Sequence, residues 1–130
     1  MTKGQSLAAV VLTHLAVSVF HGRAHDGAAV PLSLAGSLFV YVVILAGPLA
    51  GLAVWRWRPR AGAWIVAASM IGALVFGLIN HFIIQGSDHV AHVAPEWRTL
   101  FGVTAALLVV SEAAGAAVGI WAARTAELEV

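Results

Sequence analysis

Polar residues are so sparse along this chain that they read as punctuation between apolar runs. Four runs stand out, at about residues 5–22, 30–55, 61–85 and 99–123. Each is close to the roughly 20 mostly apolar residues that a helix needs to cross a bilayer. The breaks between them are short, and the one after the second run carries Arg56, Arg58, Pro59 and Arg60. A barrel would need many more strands than this length supplies, so helices are the spanning option. The pattern predicts one all-α domain over 1–130, a four-transmembrane-helix bundle.

Charge orients the bundle. Lys3, Arg56, Arg58, Arg60 and Arg124 fall on one side, and only Arg23 and Arg98 on the other. The positive-inside rule then places both termini in the cytoplasm, in a membrane of the bacterial inner (plasma) type. Trp55, Trp57, Trp64 and Trp121 gather at that same interface, and Trp97 marks the opposite one. The first run follows Lys3 as a signal peptide would, but His14 in its middle argues for a retained span. The tail Leu128-Glu129-Val130 is assigned no function.

The few polar residues inside the runs are themselves periodic. His14, Ser18, His21 and His25 stand at i, i+4, i+7 and i+11, and so do His81, Gln85, Asp88 and His92. That spacing is one stripe of a helix, about 16 Å long. GPLAG begins at Gly47, 33 residues after His14, and GAAVG begins at Gly115, 34 residues after His81. Both are small-xxx-small helix-contact motifs. The pattern predicts a duplicated two-helix hairpin with inward-facing polar stripes, and it favours self-association as a dimer or trimer. Glu112 has no counterpart in the first half and lies mid-span on the Gly115–Gly119 face. A carboxyl at that depth marks a functional site by default. The plainer reading is a protonated group hydrogen-bonded to Ser111, Thr104 or Tyr41.

Composition narrows the classes. The chain has 130 residues, 61% hydrophobic and 10% charged, against about 25% charged in soluble domains. Its mean hydropathy is +0.93. The absence of cysteine excludes disulfides, iron–sulfur clusters and thiolate sites. A net charge of +1 gives no case for a nucleic-acid partner, leaving the lipid bilayer and small apolar molecules. Six histidines in so apolar a chain are what needs explaining.

His14 and His81 lie deep, whereas His21, His25, Asp88, His89 and His92 gather towards the extracytoplasmic end. Three chemistries use such a set. A metal ion could be held by imidazoles and carboxylates from His14, His21, His25, His81, Asp88, His92 and Glu112, with Fe, Zn or Cu admissible. Haem b could sit in the bundle on an axial imidazole from His14, His21 or His25, with Arg23 holding a propionate. A proton or divalent cation could move from Asp88 through His81 to Glu112, although the cytoplasmic half offers no polar residues to continue the path.

The segment Arg23-Ala24-His25-Asp26-Gly27 resembles the Arg-Ala-His-small-Gly segment of styrene oxide isomerase. That family comprises short four-span membrane proteins that bind haem b as homotrimers. The resemblance implies His25 as axial ligand, and a ferric haem acting as a Lewis acid on an epoxide. Asn80, His81 and Glu112 are then the catalytic candidates opposite the iron. The chain departs from the family at Pro31, where an asparagine is usual. Its third span lacks the family's tyrosine and aspartate, and its one tyrosine is Tyr41, in the second span.

Overall fold

A computed structural model describes residues 1–125, so the tail Leu128-Glu129-Val130 lies outside the described residues. It contains four helices long and apolar enough to cross a membrane: α1 (Lys3–Gly27), α2 (Leu34–Trp55), α3 (Pro59–Ile83) and α4 (Pro95–Thr125). The described residues contain no strand.

Local chemistry sets the helix boundaries. Thr2 caps α1 in a reciprocal box: its Oγ1 accepts from the Gln5 backbone N–H at 3.2 Å, while Gln5 Oε1 accepts from the Thr2 N–H at 2.8 Å. Beyond α1 the chain turns at Ala29, in the left-handed region at φ 52°, and reaches Pro31. Ser33 then caps α2 by accepting from the Gly36 N–H at 3.0 Å. Pro59 and Pro95 open α3 and α4, where a missing N–H breaks no helical bond.

Two stretches are wound more loosely, as π-helix: Val40–Ala46 in α2 and Ile79–Ile83 at the end of α3. The first has an evident cause. Pro48 has no N–H to offer the carbonyl four residues back, at Ile44, and its ring crowds that carbonyl. Wider turns just before the proline relieve the crowding. The Ile44 carbonyl finds its donor outside α2, as described below.

The helices run up and down. Lys3 Nζ donates to the Thr125 carbonyl at 3.2 Å, and a β-carbon on Gly4 would meet Trp55 Nε1 at 3.0 Å. The start of α1 and the ends of α2 and α4 thus share one end, with Arg56 and Arg58 beside it in the α2–α3 turn. The opposite end joins Gly27 to Trp97 and carries the histidines.

Glycine sets the closest helix approaches. A β-carbon on Gly62 would overlap Trp55 N and lie 2.6 Å from the Gly51 carbonyl, both backbone atoms. One on Gly119 would lie 2.9 Å from Ala67 Cβ, and one on Gly47 would overlap the Ser69 side chain. Both small-xxx-small motifs are therefore occupied inside the chain, GPLAG and GAAVG each packing on α3. At the basic end the apolar core joins Leu7, Val11, Ala63, Val66, Met70, Ala116, Ala122 and Ala123. At the histidine end a smaller cluster joins Ala24, Val93 and Phe101.

Two expectations are corrected. The polar stripe of the third run is not helical throughout, because α3 ends at Ile83 and Ile84 is extended (ψ 123°). Gln85, Asp88 and His92 lie in the loop that follows. The hairpins also differ: α4 packs on α3 along its length, while α2 leans on α3 and parts from α1 at the histidine end. Phe39 stacked on Phe76, with ring centroids 4.9 Å apart, holds α2 in that position.

Candidate metal centre

Three imidazoles converge at the histidine end. His21 and His25 are one turn apart on α1, and the π-wound end of α3 brings in His81. One ring nitrogen from each lies within 4.8 Å of the others. Among the described residues, this is the group with metal-ligand character. Phe101 of α4 closes one side, with its ring centroid 4.7 Å from that of His21 and 4.9 Å from that of His25.

Hydrogen bonds orient the rings. Thr104 Oγ1 is hydrogen-bonded to His21 Nδ1 at 2.9 Å and lies 2.7 Å from the Leu100 carbonyl and 3.1 Å from the Phe101 carbonyl. His81 Nδ1 faces two acceptors, the Asp88 carbonyl at 3.2 Å and Asp88 Oδ1 at 3.1 Å, so it carries the proton and leaves Nε2 as the nitrogen with a lone pair. His21 Nε2 and His81 Nε2 are turned to each other, 3.2 Å apart and hydrogen-bonded. Two imidazole nitrogens about 2.0–2.1 Å from a tetrahedral ion lie about 3.3 Å apart. The separation therefore suits an ion held by both rings.

His25 completes the set. Its Nε2 lies 3.1 Å from Asp88 Oδ1, which leaves Nδ1 as its free nitrogen, buried and without a partner. Asp88 thus braces His25 and His81 together. Burial alone would push its carboxyl up, but the His25 and His81 rings, each with a nitrogen 3.1 Å from Oδ1, hold it well below the usual carboxylate range. A carboxylate behind two ligating imidazoles, and a threonine behind the third, is the outer shell that orients metal-binding histidines.

The remaining candidates separate. His14 is about two turns behind His21, roughly 10 Å along the helix, and stays out of the cluster. Its Nε2–H donates to the Ile44 carbonyl at 3.2 Å, the group that Pro48 leaves without an N–H. His14 Nδ1 is left 3.9 Å from Glu112 Oε1. Ser111 and Thr104, expected beside Glu112, direct their hydroxyls to the Leu108 and Leu100 carbonyls instead. Asn80 donates to the Phe76 carbonyl at 2.8 Å and lines a separate outer hollow. His89 bonds to Gln85 and the Ala91 N–H, and His92 Nδ1 donates to the Gly86 carbonyl at 2.9 Å. Both serve the loop. Arg23 stands at the mouth of the cavity that reaches the cluster.

Sequence reasoning missed Phe101 and the bond from Thr104 to His21. Neither carries a signal, since a phenylalanine and a threonine in a span are ordinary. Pro48 did carry one: a proline inside an apolar helix announces a carbonyl in need of a donor.

These features define an apolar four-helix bundle with a three-histidine cluster at one end. The chain matches no family model, no curated protein and no solved structure.

Proposed function

We propose that the protein is a multi-pass membrane protein with a resident transition-metal ion, held by His21, His25 and His81 on the extracytoplasmic side. The observation that carries this reading is the convergence of one ring nitrogen from each of His21, His25 and His81 within 4.8 Å of the others. Imidazole donors without thiolate suit zinc, iron or copper. Three protein ligands leave a coordination position for a substrate, as catalytic sites do. Such an ion supplies Lewis acidity or redox chemistry; the chain supplies orientation through Asp88 and Thr104, and apolar walls that exclude water.

Sidedness follows from charge. Lys3, Arg56, Arg58, Arg60 and Arg124 belong to one end and the cluster to the other, so the basic end faces the cytoplasm. A transport path is disfavoured because, among the described residues, no titratable side chain is buried in the apolar core of the basic end.

Haem b on His25, implied by the resemblance, fits this packing poorly. A porphyrin face needs a flat slot against one imidazole. The rings of His21, His25, His81 and Phe101 occupy that volume, with His21–His25 and His21–His81 centroids 4.9 and 4.7 Å apart. Metal analysis and an absorbance spectrum on one purified sample separate the readings. The expected result is about one zinc, iron or copper per chain without a Soret band, lost in His21→Ala and His81→Ala. A Soret band lost in His25→Ala would replace this reading with haem. Absence of stoichiometric metal after metal-replete expression would refute both.

A further inference from the structure

A hollow of about 460 Å³ lies at the histidine end, beside the cluster. Ser33 and Ser87 line it, both exposed and both in segments that connect the spanning helices. Asn80, in the last turn of α3, lines it as well, and Asp88 is the one charged residue of its wall. A second cavity, of about 380 Å³, lies between α1 and α2 and reaches His21, His25 and His81, with buried Glu112 on its wall. The two spaces share Leu32, Phe76 and Asp88, and of these only the Asp88 side chain can bind a cation. Its Oδ1 lies 3.1 Å from both His25 Nε2 and His81 Nδ1. One carboxylate therefore stands between the hollow and the centre and belongs to both.

The two openings differ in chemistry. Val19 and Tyr41, each 66% exposed, flank the α1–α2 cavity within the spans, and its exposed charges, Arg23 and Asp26, are of opposite sign. A dication entering there would leave water for hydrocarbon without a net attraction, which is costly for any unpaired charge. The hollow offers oxygen instead. Asn80 Nδ2 donates to the Phe76 carbonyl at 2.8 Å, which leaves Oδ1 as an acceptor. With Ser87 Oγ and the Asp88 carboxylate it supplies the oxygen ligands that hydrated dications exchange for water. At about 30 Å³ per water molecule, the space also admits an ion with its hydration shell.

We infer that this hollow is the port by which a hydrated divalent cation reaches the three-histidine centre from the aqueous side: Asn80 and Ser87 replace its water, and Asp88 passes it to His25 and His81. The inference deepens the proposed function and rests on its metal ion and its membrane setting. Asn80 and Ser87 do not hold the ion once it is seated, so they govern rates and not the final affinity. By reversibility, a narrowed port slows uptake and release alike. Loss of a ligand does the opposite to release, which it speeds as it weakens binding.

The test uses the full chain in nanodiscs, stripped of metal with a chelator, and zinc(II) as probe. Uptake, release to excess chelator and affinity are followed by competition with a fluorescent zinc indicator. Ser87→Trp, which fills the hollow from an exposed position, is expected to slow uptake and release each by roughly tenfold and to leave the affinity unchanged. Asn80→Leu slows both by a smaller factor. Ser87→Lys, a gentler change at the same position, slows uptake at low salt and recovers at high salt, as a repelled cation must. Val19→Trp, which crowds the other opening, leaves both rates at parental values. Parental rates in both Ser87 variants, or slowing confined to Val19→Trp, overturn the port while stoichiometric zinc upholds the metal centre. Weaker binding with faster release in Ser87→Trp and Asn80→Leu would make both residues part of the centre and overturns the port too. Failure of the parent chain to take up about one zinc overturns both readings.

Discussion

Thr104 shows how one hydroxyl can hold a ring it does not belong to. It is hydrogen-bonded to His21 Nδ1 at 2.9 Å, so Nε2 is the nitrogen turned towards His81, 3.2 Å away. Thr104→Val keeps the shape and removes this lock. Loss of such an outer-shell partner typically lowers metal affinity by about 10–100-fold. That loss is expected here, read by competition with a chelator, while the circular dichroism spectrum stays as in the parent. An unchanged affinity would mean that the His21 ring is held by something else. Asp88→Asn, which leaves the amide to bridge two imidazoles without a charge, should lose a similar amount, and Asp88→Ala more. The histidines themselves were legible as candidates because imidazoles are rare in apolar runs. Which three would meet was not legible. His14 shares the stripe of His21 and His25 but lies about two turns below His21, where it bonds to the Ile44 carbonyl instead.

At the scale of the helices, the glycines are the sharpest features. Gly62 sits where α3 meets the α2 backbone, and a methyl group there collides with Trp55 N. Neither backbone can yield without parting the helices. Overpacking of this kind costs about 1–3 kcal/mol and occasionally more, so Gly62→Ala should lower the melting temperature in detergent by several degrees. Gly22→Ala is the control, since nothing lies within 4 Å of a β-carbon there. Equal melting temperatures for the two variants would contradict the close α2–α3 packing. The four apolar runs were readable from sequence to within a few residues because length and hydropathy determine them. The end of α3 was not, because Gln85, Asp88 and His92 continue the helical spacing by coincidence past Ile83. The loop they occupy closes through its own bonds, Val90 N–H to the His81 carbonyl among them, and such bonds leave no periodic trace.

On the scale of the whole molecule, the two ends differ in kind. The basic end is apolar inside and ringed by arginine; the histidine end is polar inside and opens to the flank. The chain contains no cysteine, so single cysteines can be introduced without background. In intact cells, Ser87→Cys should react with a membrane-impermeant maleimide, and Arg58→Cys only after lysis. The reverse pattern would invert the orientation and place the centre on the cytoplasmic side. Self-association was expected from GPLAG and GAAVG, and within one chain the glycines of both motifs pack on α3.

Pro48 gives these scales a common origin. By withholding one N–H it leaves Ile44 seeking a donor, and His14 answers from α1 only in the tautomer protonated at Nε2. The face of His14 turned towards Glu112 is thereby the unprotonated one, so the docking of α2 against α1 chooses the acid–base polarity of a pair to which α2 contributes no side chain. Pro48→Ala would return a donor to α2, release His14 to rotate or exchange its proton, and uncouple the chemistry of the carboxyl from the joining of the two helices. A residue defined by what it lacks thus acts as an assembly check: the carboxyl acquires its acceptor only once the wall of its chamber is in place.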